Sequence, residues 1–182
     1  MRELRAVQTI SARALEFTIL TAARTGETTG ATSMEIDQRA ATWTISDRRM
    51  KAGVEHRMPL TAAALATLDA VPRFEGNPYL FPGGRRGQGF SNMAMLKLLR
   101  DMRPGMTVHG FRSSFRDWVA EMTSFPRELA EVALAHTVGN AVERAYQRGD
   151  LFEKRRKLME AWADFCERGV TSAEVVSLHA RV

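Results

Sequence analysis

The sequence predicts a mainly α-helical fold with one small antiparallel β-sheet, which places it in the α+β class. Apolar residues recur at helical spacing along most of the 182 residues. Strand-like stretches, rich in β-branched and aromatic residues, occur between residues 34 and 60. Residues 72–90 concentrate proline and glycine, so they predict a long surface connection between two helices.

Helical periodicity and start signals define six predicted helices. They cover residues 12–24, 62–71, 91–103, 109–122, 126–135 and 151–167. Gly26 predicts a sharp exit from the first helix, Thr61 is the expected N-cap of the second, and Pro126 suits the first turn of the fifth. In the sixth helix, the basic run at residues 154–157 is interpreted as a solvated face.

Short strands are predicted between the first two helices. They are expected at residues 34–37, 42–46 and 56–60. Gly53 predicts a hairpin turn before the last strand, and Pro59 fits a strand at the sheet edge. Lys51 then lies near the hairpin tip, where a lysine often protects an exposed edge from unwanted pairing.

Charge and composition restrict the class of protein. The net charge is +5 and the pI is near 10.0, which favours an acidic partner without identifying nucleic acid. The single Cys166 excludes an internal disulfide and a cysteine-based metal site, and it fits a reducing cytoplasm. No apolar run approaches the roughly 18 residues of a membrane span, and the first residues do not resemble a secretory signal. A cytoplasmic protein without membrane contact is expected.

A candidate anion site lies at the start of the fourth predicted helix. Its apolar stripe consists of Phe111, Phe115, Trp118, Val119 and Met122. His109 at the helix N-terminus and Arg112 one turn later add an imidazole and a guanidinium to free backbone N–H groups. Phosphate is the most natural anion for such a site. The same H-x-x-R pair is also common on an exposed helix shoulder, so the pair alone decides nothing.

Polar residues at the ends of other elements extend this pair. The full set is Arg24, Lys51, His109, Arg112, His136 and Tyr146. Arginines clamp phosphate oxygens, a lysine can protonate a departing 5′ oxygen, and histidines can donate hydrogen bonds or manage a phenol proton. A tyrosine oxygen can act as a covalent nucleophile. The combination suits phosphodiester chemistry without a metal, although Arg24 taken alone also fits a cap on its own helix.

In this order along the chain, the six residues resemble the catalytic signature of the tyrosine recombinases, the phage integrase family. The resemblance covers roughly residues 12–166 and is greatest to bacterial prophage integrases. The matching motifs are LTAARTGE at 20–27, MKAGVEHRMPL at 50–60, VHGFR at 108–112, LAH at 134–136 and AYQRGD at 145–150. Five motifs in register over this length make the resemblance specific.

The resemblance implies the integrase catalytic-domain fold and a phosphate pocket. Arg24 and Arg112 would hold the scissile phosphate, with His109 and His136 donating to it or assisting proton transfer. Glu27 would brace this pocket, or would instead cap a helix that begins at Thr28.

The resemblance also implies covalent chemistry. Tyr146 would attack the phosphate to give a 3′-phosphotyrosyl DNA intermediate, and Lys51 would be the general acid for the 5′-hydroxyl. Because the intermediate conserves the bond energy, neither ATP nor another cofactor nor a metal is required. Double-stranded DNA attachment sites and other recombinase protomers on DNA are the implied partners, and a monomer is expected without DNA.

The expected organisation is a single catalytic domain over residues 1–182, with a core at about 12–167 and a C-terminal tail at 168–182. The family's N-terminal DNA-binding domains are expected to be absent, and the implied source is bacterial or phage-derived. Two alternatives remain open. One is a non-catalytic DNA-binding recombinase remnant, and the other is a DNA-relaxing enzyme similar to type IB topoisomerases.

Overall fold

The structure is a computed structural model that describes residues 1–85, 87–136 and 151–168. The helices in these ranges are α1 (Arg2–Ala6), α2 (Ile10–Thr21), α3 (Thr25–Thr29), α4 (Ala62–Asp69), α5 (Asn92–Met102), α6 (Gly110–Met122), α7 (Arg127–Ala133) and α8 (Phe152–Arg168). The strands are β1 (Ile36–Asp37), β2 (Thr42–Ile45) and β3 (His56–Pro59). The predicted α+β class is confirmed. Within the same ranges, no helix has the length and apolar character needed to cross a membrane.

Helix α2 lies at the centre of the fold. Its sequence is apolar on more than one face, and a helix of that kind is normally buried on all sides. It packs against α4, α5 and α8. Phe17 joins it to the sheet and to the long connection, with ring centroids 5.2 Å from Trp43 and 5.6 Å from Phe81. The buried hydroxyl of Thr18 donates to the carbonyl of Ala14 at 2.7 Å, so it is satisfied within the helix.

The end of α2 differs from the prediction. The helix stops at Thr21, and Ala22 takes the left-handed conformation at φ 50°. Gly26 is not the exit residue, because it lies inside the next short helix, α3. Alanine costs more than glycine in this conformation, so packing around Ala22 determines where the helix ends.

The sheet is antiparallel in the order β1-β2-β3. Trp43 lies opposite Met58 and Ile45 lies opposite His56. Since β3 is the last strand in this order, it lies at an edge of the sheet, as Pro59 predicted. The first predicted strand is too long: residues 33–35 form a 3-10 turn, and Met34 is 94% exposed. The predicted N-cap at Thr61 is confirmed, since its hydroxyl accepts from the backbone N–H of Ala64 at 3.2 Å.

An aromatic cluster joins α6 to α8. Trp118 lies 5.2 Å from Trp162 and 5.5 Å from Phe165, measured between ring centroids, and Phe115 lies 5.3 Å from Trp162. The predicted apolar stripe of α6 is therefore confirmed over its middle. The prediction that Met122 belongs to this buried stripe is wrong, because Met122 is 60% exposed at the helix end.

The basic run of α8 is not uniformly solvated, which corrects the prediction for residues 154–157. Arg155 is 1% exposed and donates to the carbonyl of Arg57 in β3 at 2.6 Å. It precedes Leu158 by three residues and Trp162 by seven, which places it on the buried face of the helix. The guanidinium of Arg57 covers the neighbouring ring of Phe152 at 4.4 Å. These contacts fix the start of α8 against the sheet.

Replacing Arg155 by methionine is expected to lower the free energy of unfolding by about 1–3 kcal/mol, because the carbonyl of Arg57 loses a charged donor. Urea unfolding of the two proteins measures this difference. The exposed Lys154 provides the control: Lys154→Met is expected to change the free energy of unfolding by less than about 0.5 kcal/mol. Equal effects of the two substitutions would contradict a structural role for Arg155.

Candidate active site

Arg112 is the buried centre of the candidate site. It lies in the first turn of α6 and is 4% exposed. Its Nη1 donates to the carbonyl of Ala22 at 2.5 Å and its Nη2 to the carbonyl of Leu134 at 2.6 Å. The guanidinium thus joins the C-terminal ends of α2 and α7, where helical carbonyls lack partners. The interpretation of this residue as an exposed helix shoulder is wrong.

The surroundings of Arg112 leave part of its donor capacity free. Its Nε–H is buried and has no acceptor among the residues that the structure describes. Burial first and the nearby charge of Arg24 second lower the pKa of Arg112 to about 10. Both effects disfavour the charged form of Arg112. The negative charge of an anion beside this guanidinium would act in the opposite direction and favour the charged form.

Arg24 and Glu27 form the second part of the site. Arg24 is the N-cap residue of α3, and its Nη1 donates to Glu27 Oε1 at 2.7 Å. The other carboxylate oxygen accepts from the backbone N–H of Arg24, also at 2.7 Å. Glu27 therefore both caps a helix and braces the guanidinium, so the two interpretations of this residue combine. The helix that it caps begins at Thr25 and not at Thr28.

His136 is the third part of the site. It follows the end of α7, and its Nε2 lies 3.2 Å from Nη2 of Arg112. On the other side of the ring, Nδ1 lies 2.6 Å from Oε2 of Glu131. The structure thus brings His136 against Arg112 from a different helix end.

Among the described residues, no hydrogen bond or ion pair joins His109 or Lys51 to Arg24, Arg112 or His136. His109 is the N-cap residue of α6, but its exposed side chain makes no capping hydrogen bond; the hydroxyl of Thr107 accepts from Gly110 N–H at 3.1 Å instead. Lys51 is exposed in the loop between β2 and β3, and no contact within the described ranges joins it to Arg112. Tyr146 lies outside the described residues. The sequence also predicts that the segment around Tyr146 is mobile in the free protein, and this prediction concerns the same undescribed residues.

His56 is a buried histidine that the sequence did not single out as a site residue. It lies in β3, and its Nε2 has no partner among the described residues. Burial first, then the charge of Arg155, lowers its pKa from 6.5 to about 4, while Glu27 acts in the opposite direction and Arg112 adds a smaller lowering effect. His56 is therefore neutral in the folded protein near neutral pH, and the charges of Glu27, Arg112 and Arg155 all act on it.

His56 should make the fold sensitive to acid. Its folded pKa of about 4 lies below the ordinary 6.5, so the unfolded chain binds the proton first as pH falls. The associated stability is complete above pH 6.5 and is lost as pH falls through about 4, with a magnitude of about 3 kcal/mol. Urea unfolding across this range should show a shallower pH dependence for His56→Asn. The exposed His109→Asn serves as control, and an unchanged slope in His56→Asn would contradict the assignment.

The sequence analysis did not predict the contacts of two polar residues, Glu131 with His136 and Arg155 with Arg57. Arg155 was detectable, because it shares the helical spacing of the apolar residues around it. Glu131 precedes His136 by five residues, across a helix end, and no helical period predicts that contact. Only the path of the chain beyond α7 brings the two side chains together.

Several known proteins are similar in sequence to this chain. The prophage integrase IntA of Escherichia coli K12 is 34% identical over 165 residues, which cover 88% of this chain. The chain is related to the phage integrase family. The integrases of Enterobacteria phage P4 and Shigella phage Sf6 are each 27% identical, over 85% and 90% of the chain.

The integrase relationship covers only part of those proteins. The chain spans 40% of IntA, 39% of the phage P4 integrase and 43% of the phage Sf6 integrase. No family model matches the sequence, and no solved structure matches it.

Proposed function

We propose that this chain is the catalytic domain of a tyrosine-type site-specific DNA recombinase. One observation carries the proposal: Arg112 is buried between two helix ends and contacts His136, with Arg24 close enough to act on its charge. A buried arginine that contacts a histidine and lies near a second, half-buried arginine suits a phosphate group better than a neutral ligand. The integrase names of the relatives support the same function.

In the proposed reaction, Arg24 and Arg112 hold the non-bridging oxygens of a scissile phosphate and stabilise the charge of the pentacoordinate state. The oxygen of Tyr146 attacks phosphorus while the bond to the 5′ oxygen breaks. Lys51 protonates that 5′ oxygen, and His109 or His136 takes up the phenol proton or donates to the phosphate. The 5′-hydroxyl of another strand reverses these steps and joins a new pair of ends.

Double-stranded DNA is the proposed substrate, and other protomers bound to the same DNA are the proposed partners. The net charge of +5 favours contacts with phosphate groups. Because the covalent intermediate retains the bond energy, the proposed exchange of strands consumes no nucleotide.

The proposal is tested with a library of short duplexes that carry a randomised core and a nick in one strand. The nick lets the cleaved fragment diffuse away, so a covalent intermediate accumulates. We expect a protein–DNA adduct that survives denaturation, is removed by protease and maps to one tyrosine. Binding without any adduct would overturn the recombinase proposal in favour of a non-catalytic DNA-binding remnant. Relaxation of supercoiled plasmid without strand exchange would instead favour a topoisomerase.

A further inference from the structure

The carboxylate of Glu131 lies directly behind His136. Its Oε2 is 2.6 Å from His136 Nδ1, whereas the opposite ring nitrogen, Nε2, is 3.2 Å from Nη2 of Arg112. A guanidinium nitrogen can only donate, so in the neutral ring Nε2 is the acceptor and the proton lies on Nδ1. The Nδ1–H then donates to Glu131. The two contacts together select one tautomer of His136.

The backbone places Glu131 and His136 side by side. Helix α7 ends in a Schellman motif, in which His136 N–H donates to the carbonyl of Glu131 at 2.9 Å and Ala135 N–H donates to the carbonyl of Val132 at 3.0 Å. Ala135 takes the left-handed conformation that this motif requires, at φ 49°. The positions of Glu131 and His136 in such a motif usually hold a hydrophobic contact. A carboxylate and an imidazole occupy them here, so helix termination alone does not account for the pair.

The second carboxylate oxygen of Glu131 is held from the opposite side. Its Oε1 lies 3.6 Å from Nε of Arg116 and 3.9 Å from Nε of Arg127. Both arginine side chains are exposed, at 45% and 69%, and ion pairs of that kind contribute roughly 0–1 kcal/mol. These pairs therefore add little to the stability of the fold, and the contact of Glu131 with His136 at 2.6 Å is much shorter than either of them.

We propose that Glu131 is a positioning residue for His136. It fixes the Nδ1–H tautomer and the orientation of the ring, so that the unprotonated Nε2 faces Arg112 and the phosphate pocket. Without Glu131 the ring is free to turn away from Arg112 and to take the Nε2–H tautomer that histidine prefers in water, because that tautomer would otherwise direct a donor at the donor of Arg112. The consequence for DNA cleavage rests on the proposed function, whereas the consequence for the tautomer does not.

The tautomer is measured in the free protein. Ring nitrogen chemical shifts of ¹⁵N-histidine-labelled protein at mildly alkaline pH, assigned with His136→Gln, should show a protonated Nδ1 and an unprotonated Nε2. In Glu131→Ala the ring is expected to change to the Nε2–H form. Glu131→Gln should retain the wild-type pattern, because its amide oxygen still accepts. An Nε2–H ring in the wild type, or an unchanged ring in Glu131→Ala, would overturn the proposal.

Two control variants separate positioning from a merely structural role. Glu128→Ala removes an exposed carboxylate from the same helix, and Arg116→Ala removes one of the ion pairs of Glu131. Neither is expected to change the tautomer of His136. If Arg116→Ala alters the ring as strongly as Glu131→Ala, the ion pair and not the direct contact controls His136, and the proposal is wrong.

The effect on cleavage is measured with the nicked duplex library. Glu131→Ala is expected to slow adduct formation about tenfold to a hundredfold, as loss of a carboxylate behind a metal-bound histidine does, with DNA affinity unchanged. Glu131→Gln should restore most of the rate. An undiminished rate in Glu131→Ala would count against a positioning role. A wild type that forms no adduct would count against the recombinase function alone, because the tautomer is read without DNA.

Discussion

Replacement of Tyr146 by phenylalanine is expected to abolish covalent capture of DNA. The substitution removes only the hydroxyl whose oxygen would attack phosphorus, so DNA affinity and the free energy of unfolding should remain close to those of the wild type. Incubation with the nicked duplex library, followed by denaturing electrophoresis, measures the adduct. Its loss to background at unchanged binding is the expected result.

Tyr79 is the matched control for this experiment, because the chain contains two tyrosines. It lies in the connection between α4 and α5, where its backbone N–H donates to Oδ1 of Asn77 at 3.1 Å. Tyr79→Phe should leave adduct formation intact, since this contact uses only the main chain. If Tyr79→Phe removes the adduct and Tyr146→Phe does not, the nucleophile is assigned to the wrong residue.

Arg112→Lys is expected to reduce single-turnover cleavage about 10²–10³-fold, the usual effect of losing one preorganised donor to a developing charge. A lysine is a point charge and cannot reproduce the planar fork that reaches the carbonyls of both Ala22 and Leu134. One of these buried carbonyls would lose its donor, which should also lower the free energy of unfolding by about 1–3 kcal/mol. Rapid-quench cleavage and urea unfolding measure the two effects separately.

Arg116 provides the control for Arg112, since it lies one turn further along α6 with an exposed side chain. Arg116→Lys should leave both the cleavage rate and the stability close to wild type. A wild-type cleavage rate in Arg112→Lys, measured where that variant remains folded, would rule out the phosphate clamp.

The sequence predicted the elements of this fold well where the signal was local. Helical spacing found α2, α4, α5, α6, α7 and α8, and the N-cap at Thr61 was correct. The exit of α2 was misplaced, because glycine was expected to form it and Ala22 takes the left-handed conformation instead. Residue preferences at a helix end amount to about 1 kcal/mol or less, so the packing of neighbouring elements overrides them.

In the candidate site, too, the sequence predicted some features and not others. The order and chemical type of residues along the chain singled out Arg24, Arg112 and His136; in the structure His136 Nε2 lies 3.2 Å from Arg112 Nη2, and the charge of Arg24 acts on Arg112. Order and chemical type were not enough to show what holds Arg112, because its acceptors at Ala22 and Leu134 lie 90 and 22 residues away.

The sequence by itself determined the fold class, the order of the elements and the chemical types available to the site. Tertiary structure alone decided that Arg155 is buried against β3 and that Glu131 accepts from His136. Periodicity reports which face of an element is apolar, since that property is carried by residues a few positions apart. The partner of a buried polar group depends on how separate elements pack. Because a buried polar group without a partner costs free energy, only packings that supply the partner are stable.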